Sequence, residues 1–446
     1  MRGRLVLGTI RANLGSYLAS AVVMTAGTAL LTGFASLLET GLTTAARSDD
    51  ILVMLPAILG GWTVAIVVFG VISTVALTVQ HREREIALLR SIAATPRQIR
   101  QNIVLETTVT AVPAVAAGVL PGIGIGAFIL QRLIDAGLVH TPVQLHAGWL
   151  CVVIGAATSL LAAISAALII SRRAASIPPV RALAESTPTG SRSLTRVRAV
   201  AGVMLLVIGL SMSAATLAMA NGPLLSSTAG PAGVAVAVGL ALLSPVAVEV
   251  VGRFTNAPLG AAGRLATRNI HARAKYTATV AAPLILLVGI AAGTLYMQST
   301  EDSVHHGASG TGDTAERLAS VNYLVVAMII GFSAIMVVNT LIAATRRRKR
   351  EFGLLRLTVA TRRQVLTVVC LEAAVIAGLA AVLGTIAAAA TTVPYCLVKI
   401  GSPMAAGPAW VYIAIVGGAF LLAMVATIPT AMGAMRSRAV DALTAT

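Results

Sequence analysis

The chain has 446 residues, 57% of them hydrophobic and only 11% charged, and its mean hydropathy of +0.89 means more apolar surface than a soluble core can bury. An ordinary soluble domain is thereby excluded, and a lipid bilayer becomes the solvent for much of the sequence. A net charge of +17 would suggest nucleic acid in a soluble protein; here its placement points to membrane topology instead, and no nucleic-acid partner is expected.

Uncharged runs of roughly 18 or more residues can cross about 30 Å of hydrocarbon as helices. In chain order, about ten are predicted, near residues 15–38, 52–78, 103–130, 147–171, 199–220, 231–251, 279–297, 321–344, 366–393 and 410–433. Arg2 and Arg4 precede the first run, as in a signal peptide. That run exceeds the usual signal core, however, and residues 265–297 offer an internal counterpart, so it reads as a retained anchor. Of the 33 Lys and Arg, all but Arg47, Arg132, Arg317 and Lys399 fall in alternate connections. The positive-inside rule then puts both termini in the cytoplasm of a multi-pass protein.

After the second run comes Glu85-Ile-Ala-Leu-Leu-Arg90, followed by Ala94-Thr95-Pro96-Arg97-Gln98; after the eighth comes Glu351-Phe-Gly-Leu-Leu-Arg356, then Ala360-Thr361-Arg362-Arg363-Gln364. Arg82 to Glu106 aligns without a gap on Arg348 to Glu372, with about half the positions identical. Basic lead-ins at residues 9–13 and 268–273 precede the first and seventh runs. The pattern predicts an all-α fold of two four-helix units, 1–175 and 263–446, separated by a link and central helix pair at 176–262. Two intervening crossings would give both units the same orientation.

Ile86, Leu89 and Ala93 recur at helical spacing, as do Phe352, Leu355 and Val359. A short amphipathic surface helix is predicted in each copy. Thr95 with Gln98, and Thr361 with Gln364, then form the signature of a capping box that opens the next helix, with Pro96 at the first helical position of the first. A lone basic amphipathic segment often only lies on anionic lipid. Lipid attraction, though, does not require the same Glu, Arg, Thr and Gln twice.

These residues resemble the FtsX-like permease domain of ATP-binding cassette (ABC) transporters. The resemblance is carried by Glu85, Leu88, Leu89, Arg90, Ala94, Thr95, Arg97, Gln98, Ile99, Glu106 and Gly118, and again by Glu351, Leu354, Leu355, Arg356, Ala360, Thr361, Arg363, Gln364, Val365, Glu372 and Gly384. The glycine usual before Ala-Thr is replaced by Ala93 and Val359, and valine resists a left-handed turn. The resemblance implies that the segment after the second helix of each unit docks on a cytoplasmic ATPase. The expected coupling residues are Glu85, Ile86, Leu89, Arg90 and Arg97 with Glu351, Phe352, Leu355, Arg356 and Arg363.

No G-x-x-x-x-G-K-[ST] phosphate loop occurs, and Lys275, Lys349 and Lys399 lack its glycine frame. This chain is therefore not expected to be an enzyme; ATP and Mg would be bound by a partner. Two docking segments imply two ATPase copies per permease chain. Glu106 and Glu372 lie inside apolar runs, where a carboxylate costs on the order of 2.5 to 3.5 kcal/mol near the membrane centre, so each is expected to pivot the segment on a neighbour or to snorkel. Gly118, Gly122, Gly124 and Gly126, with Gly378 and Gly384, suit close helix packing. Cys151, Cys370 and Cys396 read as small core residues. Residues 298–320, with Glu301, Asp302, His305 and His306, read as the longest outer loop, solvated and without metal.

The functional expectation is the permease subunit of an ATP-driven transporter in a bacterial plasma membrane, exporting or extracting an amphiphilic or hydrophobic substrate. The alternative is an ATPase-coupled protein that signals without transport.

Overall fold

The computed structural model describes residues 14–43, 51–80, 82, 85, 86, 88, 95–139, 143–176, 196–222, 225–254, 260–307, 312–357 and 361–435. Among these, twelve helices occur and no strand: α1 Leu14–Thr43, α2 Ile51–Gln80, α3 Pro96–Asp135, α4 Trp149–Ser176, α5 Arg196–Leu217, α6 Leu225–Phe254, α7 Gly260–Ala272, α8 Ala274–Gly307, α9 Gly312–Arg347, α10 Lys349–Leu357, α11 Arg362–Ile400 and α12 Ala409–Ala434. All but the two short ones, α7 and α10, are long and apolar enough to cross a membrane, so the protein is an all-α polytopic membrane protein. The basic N-terminal lead-in, most of the link at 176–198, and Ala93 and Val359 lie outside the described residues.

Contacts divide the chain into two compact units, Met1–Thr189 with Ala308–Phe332, and Gly190–Gly307 with Ser333–Thr446. In the first, α1 packs on α2, α3 and α4. Glycines at four-residue spacing on α3 make the tightest of these contacts possible. A Cβ on Gly118 would meet Thr28 Cβ at 2.8 Å, and one on Gly122 would meet Thr32 Cβ at 2.7 Å. Gly124 faces open space. Thr25 Oγ1 also donates to Ala114 O at 2.9 Å across this seam.

In the second unit α8 takes the place of α1, with 89% of its most apolar window buried against 72% for α1. It packs on α6, α11 and α12. Gly384 of α11 makes the close approach here, against Val288, whereas Gly378 is open. The central pair α5–α6 belongs to this unit, with α6 against α8 and α11. Pro245 inside α6 lacks the amide that would bond Ala241 O. Ser244 Oγ donates to that carbonyl at 2.7 Å, and Arg198 donates to Ala241 O at 3.2 Å and Leu242 O at 2.7 Å, which satisfies backbone that lipid could not.

Two helices are much longer than hydropathy predicts. At 40 and 39 residues, α3 and α11 measure about 60 Å at 1.5 Å per residue, about twice the hydrocarbon thickness. Hydropathy marks where a helix leaves lipid, not where it stops. The same distinction corrects the reading of residues 298–320 as a loop: α8 continues to Gly307 and α9 begins at Gly312. His305 and His306 fall in the last helical turn. The polar turn before it is tied down by Lys399 Nζ, which donates to Glu301 at 2.8 Å, by Tyr395, which also donates to Glu301, and by Gln298 Nε2, which donates to Asp302 at 2.7 Å.

Candidate functional site: two arginine–glutamate clusters

Helix α2 ends at Gln80, and the chain turns at Arg82, whose amide donates to Val79 O at 3.0 Å before Ile86 N donates to Arg82 O at 2.9 Å. The turn recurs 266 residues later: Arg348 N donates to Thr345 O at 3.1 Å and Phe352 N to Arg348 O at 3.0 Å. Each turn aims one arginine inward, at the glutamate that sits inside the following long helix.

In the first unit, Arg82 Nε donates to Glu85 Oε2 at 2.8 Å and Nη1 to Tyr17 OH at 2.9 Å, while a direct ion pair joins Nη1 to Glu106. Tyr17 OH donates in turn to Glu106 Oε2 at 2.9 Å. Arg82, Glu106 and Tyr17 are all buried. Beside them lies a cavity of about 20 Å³ lined in part by Ser20, Thr78, Thr107 and Thr110, room for about one water molecule.

In the second unit, Arg348 donates to both oxygens of Glu351, at 3.0 and 3.2 Å, and its Nη2 donates to Glu372 Oε1 at 3.1 Å, with a further ion pair from Nη1. Asn269 Nδ2, from α7, donates to Glu372 Oε1 at 2.8 Å, and Arg273 pairs with Glu351. The Arg348 guanidinium also lies over the Phe352 ring, 5.2 Å from its centroid.

Burial works against the charge of both arginines, yet the oxygens of Tyr17, Glu106 and Glu85 around Arg82, and of Glu351 and Glu372 around Arg348, more than offset it and raise both guanidinium pKa values. Burial alone would also raise the Glu351 carboxyl; the hydrogen bond from Arg348 and the charges of Arg348 and Arg273 outweigh it and hold the carboxyl below its ordinary value. Both arginines therefore stay charged, and Glu351 with them.

Capping starts both long helices in the same way. Thr95 Oγ1 accepts from Gln98 N at 3.3 Å while Thr95 N donates to Gln98 Oε1 at 2.9 Å, and Thr361 and Gln364 repeat both bonds at the same distances. Between turn and cap, the described members of the apolar stripe, Ile86, Phe352 and Leu355, face inward. Ile86 packs with Val79, Ile99 and Ile103, against Ile170 of α4. Phe352, 1% exposed, packs with Val365 and Val369 of α11 and with Ala431 and Met435 at the end of α12, joined by half-buried Leu355. What faces outward is Leu88, Leu354 and Leu357, with Glu85, Arg97 and Arg363. Leu89, Arg90 and the side chain of Arg356 lie outside the described residues.

Sequence reasoning missed Arg82 and Arg348 as the partners of the glutamates, because a cation beside a span reads first as a topology marker. Their signal was the shared offset: Arg, Glu three residues on, and Glu a further 21 on, in both copies. Tyr17, Asn269 and Arg273 gave no such signal. At the far ends of the helices another matched pair went unread. Thr40 Oγ1 accepts from His146 N at 3.0 Å and Thr300 Oγ1 from Ala406 N at 3.3 Å, each just before the last helix of its unit. Glu39 additionally accepts from Gly148 N at 3.2 Å and Cys151 N at 2.9 Å, capping α4 from a distance.

Among the described residues, ten apolar helices and a duplicated turn-and-cap element define an internally repeated multi-pass membrane protein. The family model for the FtsX-like permease C-terminal domain matches twice, at residues 57–179 and 323–439. The chain belongs to the FtsX-like permease family, whose members generally work with a separate cytoplasmic ABC ATPase and are not themselves catalytic. The two matches take in α3 and α4, and α10, α11 and α12, with parts of α2 and α9. They leave out the helices that open each unit and the central pair. No curated protein matches the chain.

Proposed function

We propose that this permease exports or extracts an amphiphilic or hydrophobic substrate, driven by two copies of a cytoplasmic ATPase that bind ATP and Mg and grip the segments 85–97 and 351–363. The reading sets both termini in the cytoplasm of a bacterial plasma membrane, and the domain plan is two four-helix units with an inserted pair. Its main support is the geometric repetition of the clusters: in both copies one ionised arginine joins the end of one span, the segment after it and a glutamate inside the next helix.

Within the segments the roles divide. Ile86, Phe352 and Leu355 seat each segment on its own unit. Glu85, Arg97 and Arg363, with Leu88 and Leu354, offer the ATPase a surface, and Leu89, Arg90, Glu351 and Arg356 complete the set. Burying one such leucine contributes roughly 1.5 to 3 kcal/mol, while exposed ion pairs contribute less and fix register. Glu106 and Glu372 act as pivots, passing displacement of the segment into α3 and α11.

The test is Glu372→Gln in vesicles containing the ATPase. Stimulated ATP turnover and accumulation of the compound are both expected to fall while the protein still inserts and assembles; unchanged values sink the pivot. Turnover in the wild type without any flux would favour signalling over transport. A native mass other than one permease with two ATPases would overturn the stoichiometry alone.

A further inference from the structure

Helix α7 buries Gly263, Ala266 and Ile270, and Ile270, with Ala274 at the start of α8, packs with Val248 and Ala278 against Val375 and Leu379. On the opposite side Arg264, Arg268 and His271 are exposed and follow one another at four- and three-residue spacing, which aligns them on one helical stripe. Leu265, 37% exposed, borders that stripe. Among the described residues, no ion pair occupies Arg264, Arg268 or His271.

We propose that this outer face of α7 binds the phosphate groups of anionic lipids in the cytoplasmic leaflet, with Arg264 and Arg268 as the charged contacts, His271 as a further donor and Leu265 at the acyl edge. The proposal rests on the membrane orientation given above. The level of the helix carries it: α7 runs into the span that starts at Tyr276, and it packs on Val248 near the end of the α6 span, at Val250. It therefore lies where helices leave hydrocarbon, the depth of the headgroups. An exposed leucine beside two arginines suits that boundary, with the apolar side chain pointing to the chains and the cations to the phosphates. The inner side of the same helix supplies Asn269 to Glu372, and Arg273 just beyond its end pairs with Glu351, so a lipid held outside is one helix diameter from the second cluster.

The probe is phosphatidylglycerol presented as a minor component of phosphatidylcholine nanodiscs holding the full chain without ATPase or substrate. Lipids retained on release are counted by native mass spectrometry. Wild type should retain phosphatidylglycerol preferentially, and R264Q/R268Q should cut that preference roughly thirtyfold, at about 1 kcal/mol per cation. R172Q/R346Q, which removes equal charge from exposed positions elsewhere, should keep most of it. An unchanged preference in R264Q/R268Q overturns the site, and an equal loss in R172Q/R346Q reduces it to general charge attraction. Because the lipid count needs neither ATP nor flux, it can fail while the transporter reading stands, and the reverse.

Discussion

The two arginine–glutamate clusters share a backbone turn but differ in the partners that surround it. In the first, one arginine serves two carboxylates, Glu85 is 46% exposed, and the remaining partner of Glu106 is a tyrosine hydroxyl. In the second, Arg348 and Arg273 face Glu351 and Glu372, the Glu351 side chain is 18% exposed, and Asn269 adds a donor. Duplication kept the element that turns the chain, while its surroundings diverged: Arg273 backs up Arg348 at Glu351 in the second cluster, whereas Glu106 in the first has Tyr17 beside Arg82. Removing Arg82 should therefore cost more than removing Arg348.

Arg82→Met tests this most severely. It leaves Glu106 buried with only Tyr17, and removing one partner of a buried pair typically costs about 3 to 5 kcal/mol, so thermal unfolding in detergent should shift accordingly. Arg348→Met should cost less, because Asn269 still serves Glu372 and Arg273 still serves Glu351; equal losses would erase the distinction between the clusters. Next in size come the glycine seams. Gly122→Ala, whose Cβ would sit 2.7 Å from both Ala29 O and Thr32 Cβ, should destabilise by about 1 to 3 kcal/mol through overpacking, and Gly384→Ala should do the same against Val288. Gly124→Ala and Gly378→Ala, which meet open space or one distant ring atom, should be neutral or stabilising by up to about 1 kcal/mol. Thr95→Ala and Thr361→Ala should each cost about 1 kcal/mol, equally, since the two capping boxes are geometrically alike.

The smallest effect is one of pH. Glu351 is depressed in the folded protein, so its contribution is fully present above its ordinary value of 4.5 and is lost as pH falls through the lower folded value. The melting difference between wild type and Glu351→Gln should be constant from neutrality to about pH 4.5 and close in stronger acid. A margin that closes well above that pH would mean that the arginines do not hold the carboxylate.

The ten spans and the duplicated element were legible in the sequence because both are local: an apolar run needs no partner to be recognised, and Thr95-to-Gln98 spacing encodes its own hydrogen bonds. Partnership across the fold was not legible. Nothing near Glu372 in sequence indicates that Asn269, 103 residues earlier, completes its shell. The stripe of Ile86, Phe352 and Leu355 was visible as a stripe, but periodicity says only that a face is apolar, not which surface covers it. Glu301 looked like part of a solvated loop because its ties, Tyr395 and Lys399, lie on another helix.

The seating of Ile86 and Phe352 has a mechanical corollary. Ile86 shares one apolar cluster with the start of α3 and Ile170 of α4, and Phe352 shares another with the start of α11 and the tail of α12. A gear with play wastes the first part of every stroke; here the toothed piece is already meshed with two shafts. On the proposed reading, a tug on either segment would reach the last two helices of its unit together.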